Sequence, residues 1–124
     1  MREILFRGKR VDSGEWNEGN LVRRAKELLI VTLGFICGEV IPETVGQYTG
    51  LRDKNGNKIF EGDILRFPYP STQNIYSVMW SGCSFVRKDP DGYYLSLNAL
   101  NCDEYEVIGN IHDNPELLEG ENNG

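Results

Sequence analysis

Short apolar runs, separated every several residues by Gly, Asn, Asp or Pro, make up most of this chain. Within these runs apolar and polar positions alternate, as at Tyr76, Val78 and Trp80, and almost no stretch repeats with the 3.6-residue period of a helix. Alternation with a period of two is typical of strands that bury one face. The pattern therefore predicts a mostly β protein.

The predicted strands follow one another with short turns between them. They cover residues 4–6, 16–22, 28–33, 35–41, 45–48, 64–67, 75–80, 85–87, 93–95 and 105–111. The pair Asn55-Gly56 predicts a type I′ turn, because both residues tolerate the positive φ angles that this turn needs. Helical cues are confined to 96–101 and to 114–119, where Asn114 is a suitable N-cap and Pro115 a suitable first helical residue.

The charge of the chain is acidic overall but uneven. The formal net charge is -6, which opposes general attraction to nucleic acid or anionic lipid. Residues 1–60 hold ten basic and eight acidic side chains, whereas residues 61–124 hold three basic and eleven acidic ones. A surface that binds anions is therefore expected only in the first half.

The chain start and the cysteines bear on where the protein works. The sequence is charged from Arg2 and lacks the apolar core of a signal peptide, so we expect a cytoplasmic protein. The longest uncharged run, residues 28–38, is far shorter than the roughly 20 residues of a membrane-spanning helix and predicts buried sheet rather than a membrane contact. Cys37, Cys83 and Cys102 are odd in number and widely spaced, which favours reduced thiols over disulfides.

Four segments together resemble the YopX family of phage and prophage proteins, and they come in the order of that family. They are FRGKR at 6–10 with GEW at 14–16, PETVGQYTGL at 42–51, DKNG at 53–56 with IFEGDI at 59–64, and VIGNIHDNPELL at 107–118. The resemblance spans nearly the whole chain and implies a mostly β protein with a small SH3-like barrel in its second half. It brings no established activity, cofactor or catalytic residue, and it suggests an accessory role in a phage.

With 124 residues, the chain fits one domain. We expect a single YopX-like domain in three parts: a β-rich N-terminal part at 1–41, the SH3-like barrel at 42–112, and a short helix with a tail at 113–124.

A calcium loop is suggested by Asp53-x-Asn55-x-Asn57, which has oxygen ligands at the first, third and fifth positions. The match fails further on, because the sixth position is Lys58 instead of Gly and the twelfth is Ile64 instead of Glu. A β-turn explains the same composition and is favoured.

Other metal-binding or acidic combinations also lack the required pattern. No two of Cys37, Cys83, Cys102 and His112 are two to four residues apart, as zinc sites of this kind require. The acidic pairs Glu61/Asp63 and Asp89/Asp91 flank glycines in turns, where turn capping explains them. We predict no metal and no cofactor, although Glu61 and Asp63 leave a divalent-metal function open.

Catalysis that uses a histidine would have to use His112, the only one in the chain. It would need Cys102 or a serine as nucleophile and Asp113 or Glu106 as its orienting acid, and nothing in the sequence supports that geometry. Strand alternation predicts a structural position on the face of Glu106, Ile108 and Asn110. We predict no catalytic residue and no enzyme, with a hydrolase or metal-dependent enzyme as the least supported alternative.

Two sets of residues are candidates for binding. Basic residues around Trp16 combine phosphate attraction with a stacking surface, which suits single-stranded nucleic acid, although nearby acids weaken the field. This set is Arg7, Lys9, Arg10, Trp16, Arg23 and Arg24. An aromatic set around a Pro-containing loop predicts a peptide groove of the SH3 kind, although its members also suit a core. It consists of Phe67, Tyr69, Tyr76 and Trp80.

Because small barrels without a catalytic set usually act by binding, we expect a non-enzymatic protein-binding or assembly module whose partner is another phage or host protein. Nucleic-acid binding through the N-terminal bases is the alternative. Both faces of strand 28–33 are apolar, so we also expect a homo-oligomer whose contact is the N-terminal sheet, with Ile30 either at that contact or in the monomer core.

Overall fold

The computed structural model describes residues 4–32, 35–67, 75–81, 84–88, 94–98 and 104–120. Within these ranges lie eleven strands, one 3₁₀ turn and one short α-helix. The sheets are antiparallel, and the prediction of a mostly β protein is confirmed. The chain divides into two compact units, Met1–Gly50 and Leu51–Gly124, whereas the sequence places the division at 41/42.

The elements of the first unit are β1 (Phe6–Lys9), β2 (Trp16–Arg24), β3 (Glu27–Thr32), β4 (Phe35–Glu39), the 3₁₀ turn Pro42–Thr44 and β5 (Gly46–Arg52). The strands form an antiparallel sheet in the order β4-β3-β2-β1-β5. Strand β5 continues into the second unit, where a hairpin leads to the next strand. The first half of β5 pairs with β1, through Gln47 opposite Phe6 and Gly46 opposite Arg7. This pairing places residues 46–50 in the first unit.

The first sheet curves, so that the end of β4 lies next to the end of β1. Arg10 and Val40 form an antiparallel bridge, and the N–H of Ile41 donates to the carbonyl of Lys9 at 2.8 Å. Ile30 and Val40 are fully buried as a result. Of the two places that the sequence leaves open for Ile30, the structure therefore shows the core of the chain itself and not a subunit contact.

The second unit contains a five-stranded sheet in the order β10-β9-β8-β7-β11. Its elements are β6 (Lys58–Phe60), β7 (Asp63–Arg66), β8 (Ile75–Ser81), β9 (Ser84–Lys88), β10 (Tyr94–Ser96), β11 (Glu106–Asn110) and the helix α1 (Glu116–Gly120). Strands β7 to β10 form a meander, and β11 pairs with the other side of β7. The described strands do not close into a barrel, so they do not confirm the SH3-like part of the prediction.

The core of the second unit gathers side chains from β6, β7, β8 and the segments that flank β10 and β11. Its buried members are Ile59, Leu65, Val78, Leu97 and Tyr105, and Leu51, Phe67, Tyr76 and Val107 pack against them partly buried. Burial of this apolar surface is the main stabilising contribution.

The β5–β6 turn differs from the predicted type I′ turn. Among the described residues other than glycine, Ala25 alone has a positive φ, so Asn55 does not supply one. The Gly56 N–H donates to the Asp53 carbonyl at 3.0 Å, and Gly56 itself has a φ of 84°. This is the pattern of a type I turn followed by a left-handed glycine. The Asp53 carboxylate favours it by accepting a hydrogen bond from the Asn55 N–H at 2.9 Å.

The predicted C-terminal helix is present as α1, which lies against β8. It begins two residues after Asn114, whose carbonyl accepts a hydrogen bond from the Leu117 N–H at 3.0 Å. The helical turn predicted at 96–101 does not start in the described part of that segment, because Ser96 ends β10 and residues 97–98 are irregular, while 99–101 lie outside the described residues. Nowhere in the described ranges is a helix long and apolar enough to cross a membrane.

Candidate functional site

The sheet divides the six residues predicted to bind nucleic acid between its two faces. Lys9 pairs with Trp16 and Arg7 with Glu18, so these side chains share one face. Strand alternation puts Arg24 on that same face and places Arg10 and Arg23 on the opposite one. The structure therefore brings Arg7, Lys9 and Trp16 together, and the six side chains do not form one patch.

Trp16 is the centre of this smaller cluster. The Arg7 guanidinium carbon lies 4.8 Å from the centroid of the Trp16 ring, and the Lys9 ammonium lies 5.9 Å from it. These are cation–π distances. The cluster has the chemistry of a nucleic-acid contact, but the two cations already use the ring on which a base would stack.

Two of the remaining bases, Arg10 and Arg24, have acidic neighbours. An Arg10 Nη2 donates to Asp12 at 2.7 Å, and this hydrogen bond lowers the pKa of Asp12. An Arg24 Nη2 lies 3.5 Å from a Glu27 oxygen, and both side chains are exposed. These pairs reduce the positive potential that phosphate would meet.

The structural division also changes the charge argument. Residues 1–50 contain seven Lys or Arg and seven Asp or Glu, so the first unit has no formal net charge. Residues 51–124 contain six basic and twelve acidic side chains, which give the second unit a formal charge of -6. The basic excess of residues 1–60 comes from Arg52, Lys54 and Lys58, which belong to the second unit.

Of the predicted aromatic set, Phe67 and Tyr76 come together around a third ring. Both make edge contacts with Tyr105, with ring centroids 5.5 Å apart for Phe67 and 5.8 Å for Tyr76. Trp80 lies further along β8 and makes an edge contact with Phe85 at 4.7 Å. Tyr69 lies outside the described residues. Phe67 and Tyr76 therefore border the core, and they do not line a groove with Trp80.

Arg87 joins this aromatic cluster, and the sequence-based set omits it. Its guanidinium carbon lies 3.9 Å from the Tyr76 ring centroid, and its Nε donates to the Tyr105 hydroxyl at 2.7 Å. Burial raises the pKa of Tyr105 despite the nearby positive charge of Arg87. Arg87 is two residues after buried Phe85 in β9, so strand alternation puts both side chains on one face. The sequence does not show which rings that face meets.

Exposed apolar side chains of the second unit lie on the two strands that flank Arg87, β8 and β10. Trp80 is 45% exposed, Tyr94 53% and Leu95 50%. Leu95 pairs with Arg87 across β9 and β10, and Trp80 pairs with Phe85, so Trp80, Arg87 and Leu95 share one face. Tyr94 points to the other face, next to Lys88, whose ammonium lies 6.0 Å from its ring centroid. We call Trp80, Arg87 and Leu95 the rim.

Asp53, the first residue of the calcium-like motif, has a structural role in a turn. Its carboxylate accepts hydrogen bonds from the N–H groups of Asn55 and Asn57 at 2.9 and 2.8 Å, and from that of Val107 in β11 at 2.9 Å. Burial by itself would raise the pKa of Asp53, but these hydrogen bonds outweigh it and lower the pKa. The carboxylate thus ties the β5–β6 turn to β11.

Two other candidate ligands, Asp63 and Cys37, also have local contacts. Asp63 is fully buried, and its carboxylate accepts a hydrogen bond from the Phe60 N–H at 2.7 Å. The Cys37 thiol lies 3.5 Å from the Thr32 hydroxyl. Cys83, Cys102, Asp89 and Asp91 lie outside the described residues. Within the described ranges, no three His, Cys, Asp or Glu side chains are grouped in a way that would hold a metal ion.

His112 lies in the turn after β11 and not on the strand face that alternation predicts. A β-bulge between Val107 and Gly109 breaks the alternation, and β11 ends at Asn110. The Asn110 side-chain oxygen accepts hydrogen bonds from the N–H groups of His112 and Asp113 at 3.0 and 2.9 Å. These contacts build the turn that leads to α1.

Comparisons with known proteins agree with this architecture. The family model described as YopX protein matches residues 6–119. The crystal structure of protein EF1440 from Enterococcus faecalis is similar to this chain, with a TM-score of 0.57 and 26% sequence identity, over 95% of this chain and 99% of that chain. A comparison with curated proteins finds no match.

Proposed function

The chain belongs to the YopX family, and we propose that it is a non-enzymatic protein-binding or assembly module. We further propose that it is an accessory protein of phage or prophage origin that acts in the cytoplasm. The origin is supported by family membership, and the binding role by the surface of the second sheet.

The rim is the observation that carries this proposal. Trp80 and Leu95 are each about half exposed, and both share one sheet face with Arg87. Tryptophan and arginine are enriched among residues that dominate the energy of protein interfaces. Buried Phe85 and Val78 lie beside the rim on the same face, because Phe85 pairs with Trp80 and Val78 pairs with Arg87.

The chemistry-bearing side chains support binding over catalysis. Asp53 and Asp63 use their carboxylates to hold turns, and the Asn110 amide oxygen holds the turn that contains His112. Such groups stabilise loops through hydrogen bonds to charged or polar acceptors. We therefore propose that the polar groups shape the scaffold and the rim makes the contact.

Nucleic-acid binding is the alternative function, and the Arg7, Lys9 and Trp16 cluster is the observation that favours it. The lack of net charge on the first unit and the ion pairs of Arg10 and Arg24 weigh against it. A salt-dependent measurement of binding to single-stranded DNA separates the two functions.

The rim is tested by capture with the full chain. The parent, a Trp80→Ala/Leu95→Ala variant and an Ile111→Ala control are immobilised, and proteins bound from infected bacterial cells are quantified by mass spectrometry. We expect a protein enriched by the parent and the control and reduced at least about tenfold by the double variant, as for loss of an interface hot spot.

Because Trp80 contacts Phe85, its removal also affects packing. A Leu95→Asp variant leaves that contact in place and changes a half-exposed side chain on a short strand. Equal capture by the parent, the double variant and Leu95→Asp, with all three folded, would contradict the proposal.

A further inference from the structure

One face of the first sheet carries an apolar strip that the chain itself leaves partly open. Val22 pairs with Leu29, and Val31 pairs with Ile36, so these four side chains lie together across β2, β3 and β4. Leu29 is buried at the centre, whereas Val22 is 41% exposed and Ile36 55% exposed. We call these four residues the strip.

Charged residues of both signs surround the strip. Arg24 and Glu27 form the row next to Val22, and Glu39 pairs with Leu29 at the β4 side. Asn20 pairs with Val31 on the other side of the strip. An apolar centre with a polar, mixed-charge border is the composition of a protein interface.

We infer that a second copy of this chain covers the strip, in a two-fold contact that places strip against strip. This inference deepens the assembly part of the proposed function and rests on it. In a two-fold contact the same patch serves both copies, so its centre must be apolar and its border must contain both charges. The strip meets both conditions.

The charge of the two units favours a second copy at this surface. The first unit has equal numbers of acidic and basic side chains, so two copies meet there without net repulsion. Two copies that met through their second units would bring together formal charges of -6 and -6. Contact through the first unit therefore meets less electrostatic repulsion than contact through the second.

Sedimentation of the full chain from about 1 to about 100 μM, the range of moderate protein affinities, tests this contact. We expect the parent to form a dimer. Ile36→Glu and Val22→Glu each place a charge in the strip and should raise the dissociation constant at least about tenfold, as loss of an interface hot spot does. Ile111→Glu puts the same charge on an exposed isoleucine of the second unit and should leave the constant unchanged.

Thermal melts of the parent and the three variants establish whether each protein folds. If one of the two strip variants does not fold, the other still tests the contact. A parent that stays monomeric across the range overturns the inference, and so does an Ile111→Glu effect as large as that of the strip variants.

The result of the capture experiment at the rim does not depend on the result of the sedimentation experiment. A dimeric parent that captures no partner contradicts the partner-binding proposal alone, and a monomeric parent that still captures a partner contradicts this inference alone.

Discussion

At the scale of single residues, the backbone of Ala25 is in an unfavourable conformation. Its φ is 55°, in the left-handed region that costs an L residue roughly 1–2 kcal/mol. Ala25 is the first of two residues that connect Arg24 of β2 to Glu27 of β3, which pair across the hairpin. Glycine is the usual residue at a position with positive φ in such a turn.

Replacing Ala25 by glycine should therefore stabilise the protein. The relief of backbone strain exceeds the added entropy of the unfolded chain, and we expect a gain of about 0.5 kcal/mol in the free energy of unfolding. Chemical denaturation of the parent and Ala25→Gly measures it. The neighbouring Lys26, whose φ is not positive, provides the control, since Lys26→Gly should destabilise.

A second residue that should strongly affect the free energy of unfolding is Asp53, whose carboxylate connects the β5–β6 turn to Val107 of β11. Asp53→Asn removes the charge and turns one acceptor oxygen into a donor that faces N–H groups. We expect a loss of about 2 kcal/mol in the free energy of unfolding, the cost of leaving buried donors unsatisfied.

The pH dependence of stability gives a separate test of Asp53. Its pKa is lower in the folded protein than the ordinary value of 3.8, so its stabilising contribution is full above that value and is lost as the pH falls through the lowered pKa. Below pH 3.8 the parent should therefore lose stability more steeply than Asp53→Asn. Glu15→Gln, which changes an exposed side chain, is the matched control, and a parallel decline in parent and Asp53→Asn would contradict the assignment.

At the scale of elements, close contact between the ends of β1 and β4 keeps the first sheet rolled. Gly8 is buried in β1, and a Cβ atom on it would lie 2.8 Å from the Cβ of Val40. Real Cβ atoms do not approach so closely, and Val40 is itself fully buried. The rolled shape thus depends on the absence of a side chain at Gly8.

A Gly8→Ala variant should accordingly destabilise the protein. Overpacking of a filled interior typically costs about 1–3 kcal/mol, although alanine is otherwise the better residue in a strand. Adding Val40→Ala makes room for the new methyl group, so the double variant should be more stable than the sum of the two single effects. Denaturation curves of the four proteins give this coupling, and simple additivity would contradict the contact.

At the scale of the whole molecule, nucleic-acid binding depends on which sheet face carries the bases. If the alternative function holds, Arg7→Glu/Lys9→Glu should abolish binding to single-stranded DNA, because those residues lie on the face of Trp16. Arg10→Glu/Arg23→Glu makes the same charge change on the opposite face and should have little effect. Binding by the parent should also fall steeply with added salt. A parent that does not bind at low salt removes this alternative.

Much of the architecture could be predicted from the sequence because it depends on local pattern. Alternation with a period of two identified most strands, Asn55-Gly56 marked the β5–β6 hairpin, and the 114–119 segment marked the helix. The family resemblance, now confirmed over residues 6–119, rests on strings of adjacent residues. Each of these signals spans a few positions, so no knowledge of distant contacts is needed to detect it.

The candidate sites depended on contacts between distant residues, and there the sequence was insufficient. The pairing of β1 with β2 decided that Arg7 and Lys9 share a face with Trp16 while Arg10 and Arg23 do not. The bridge from Arg10 to Val40 accompanies burial of Ile30, and the pairing of β9 with β8 and β10 put Arg87 on one face with Trp80 and Leu95. A strand sequence fixes which residues alternate, but the register with its partners fixes which face is buried and which residues meet. Register is set by contacts between residues on different strands, so the tertiary structure alone decided where the proposed binding surfaces lie.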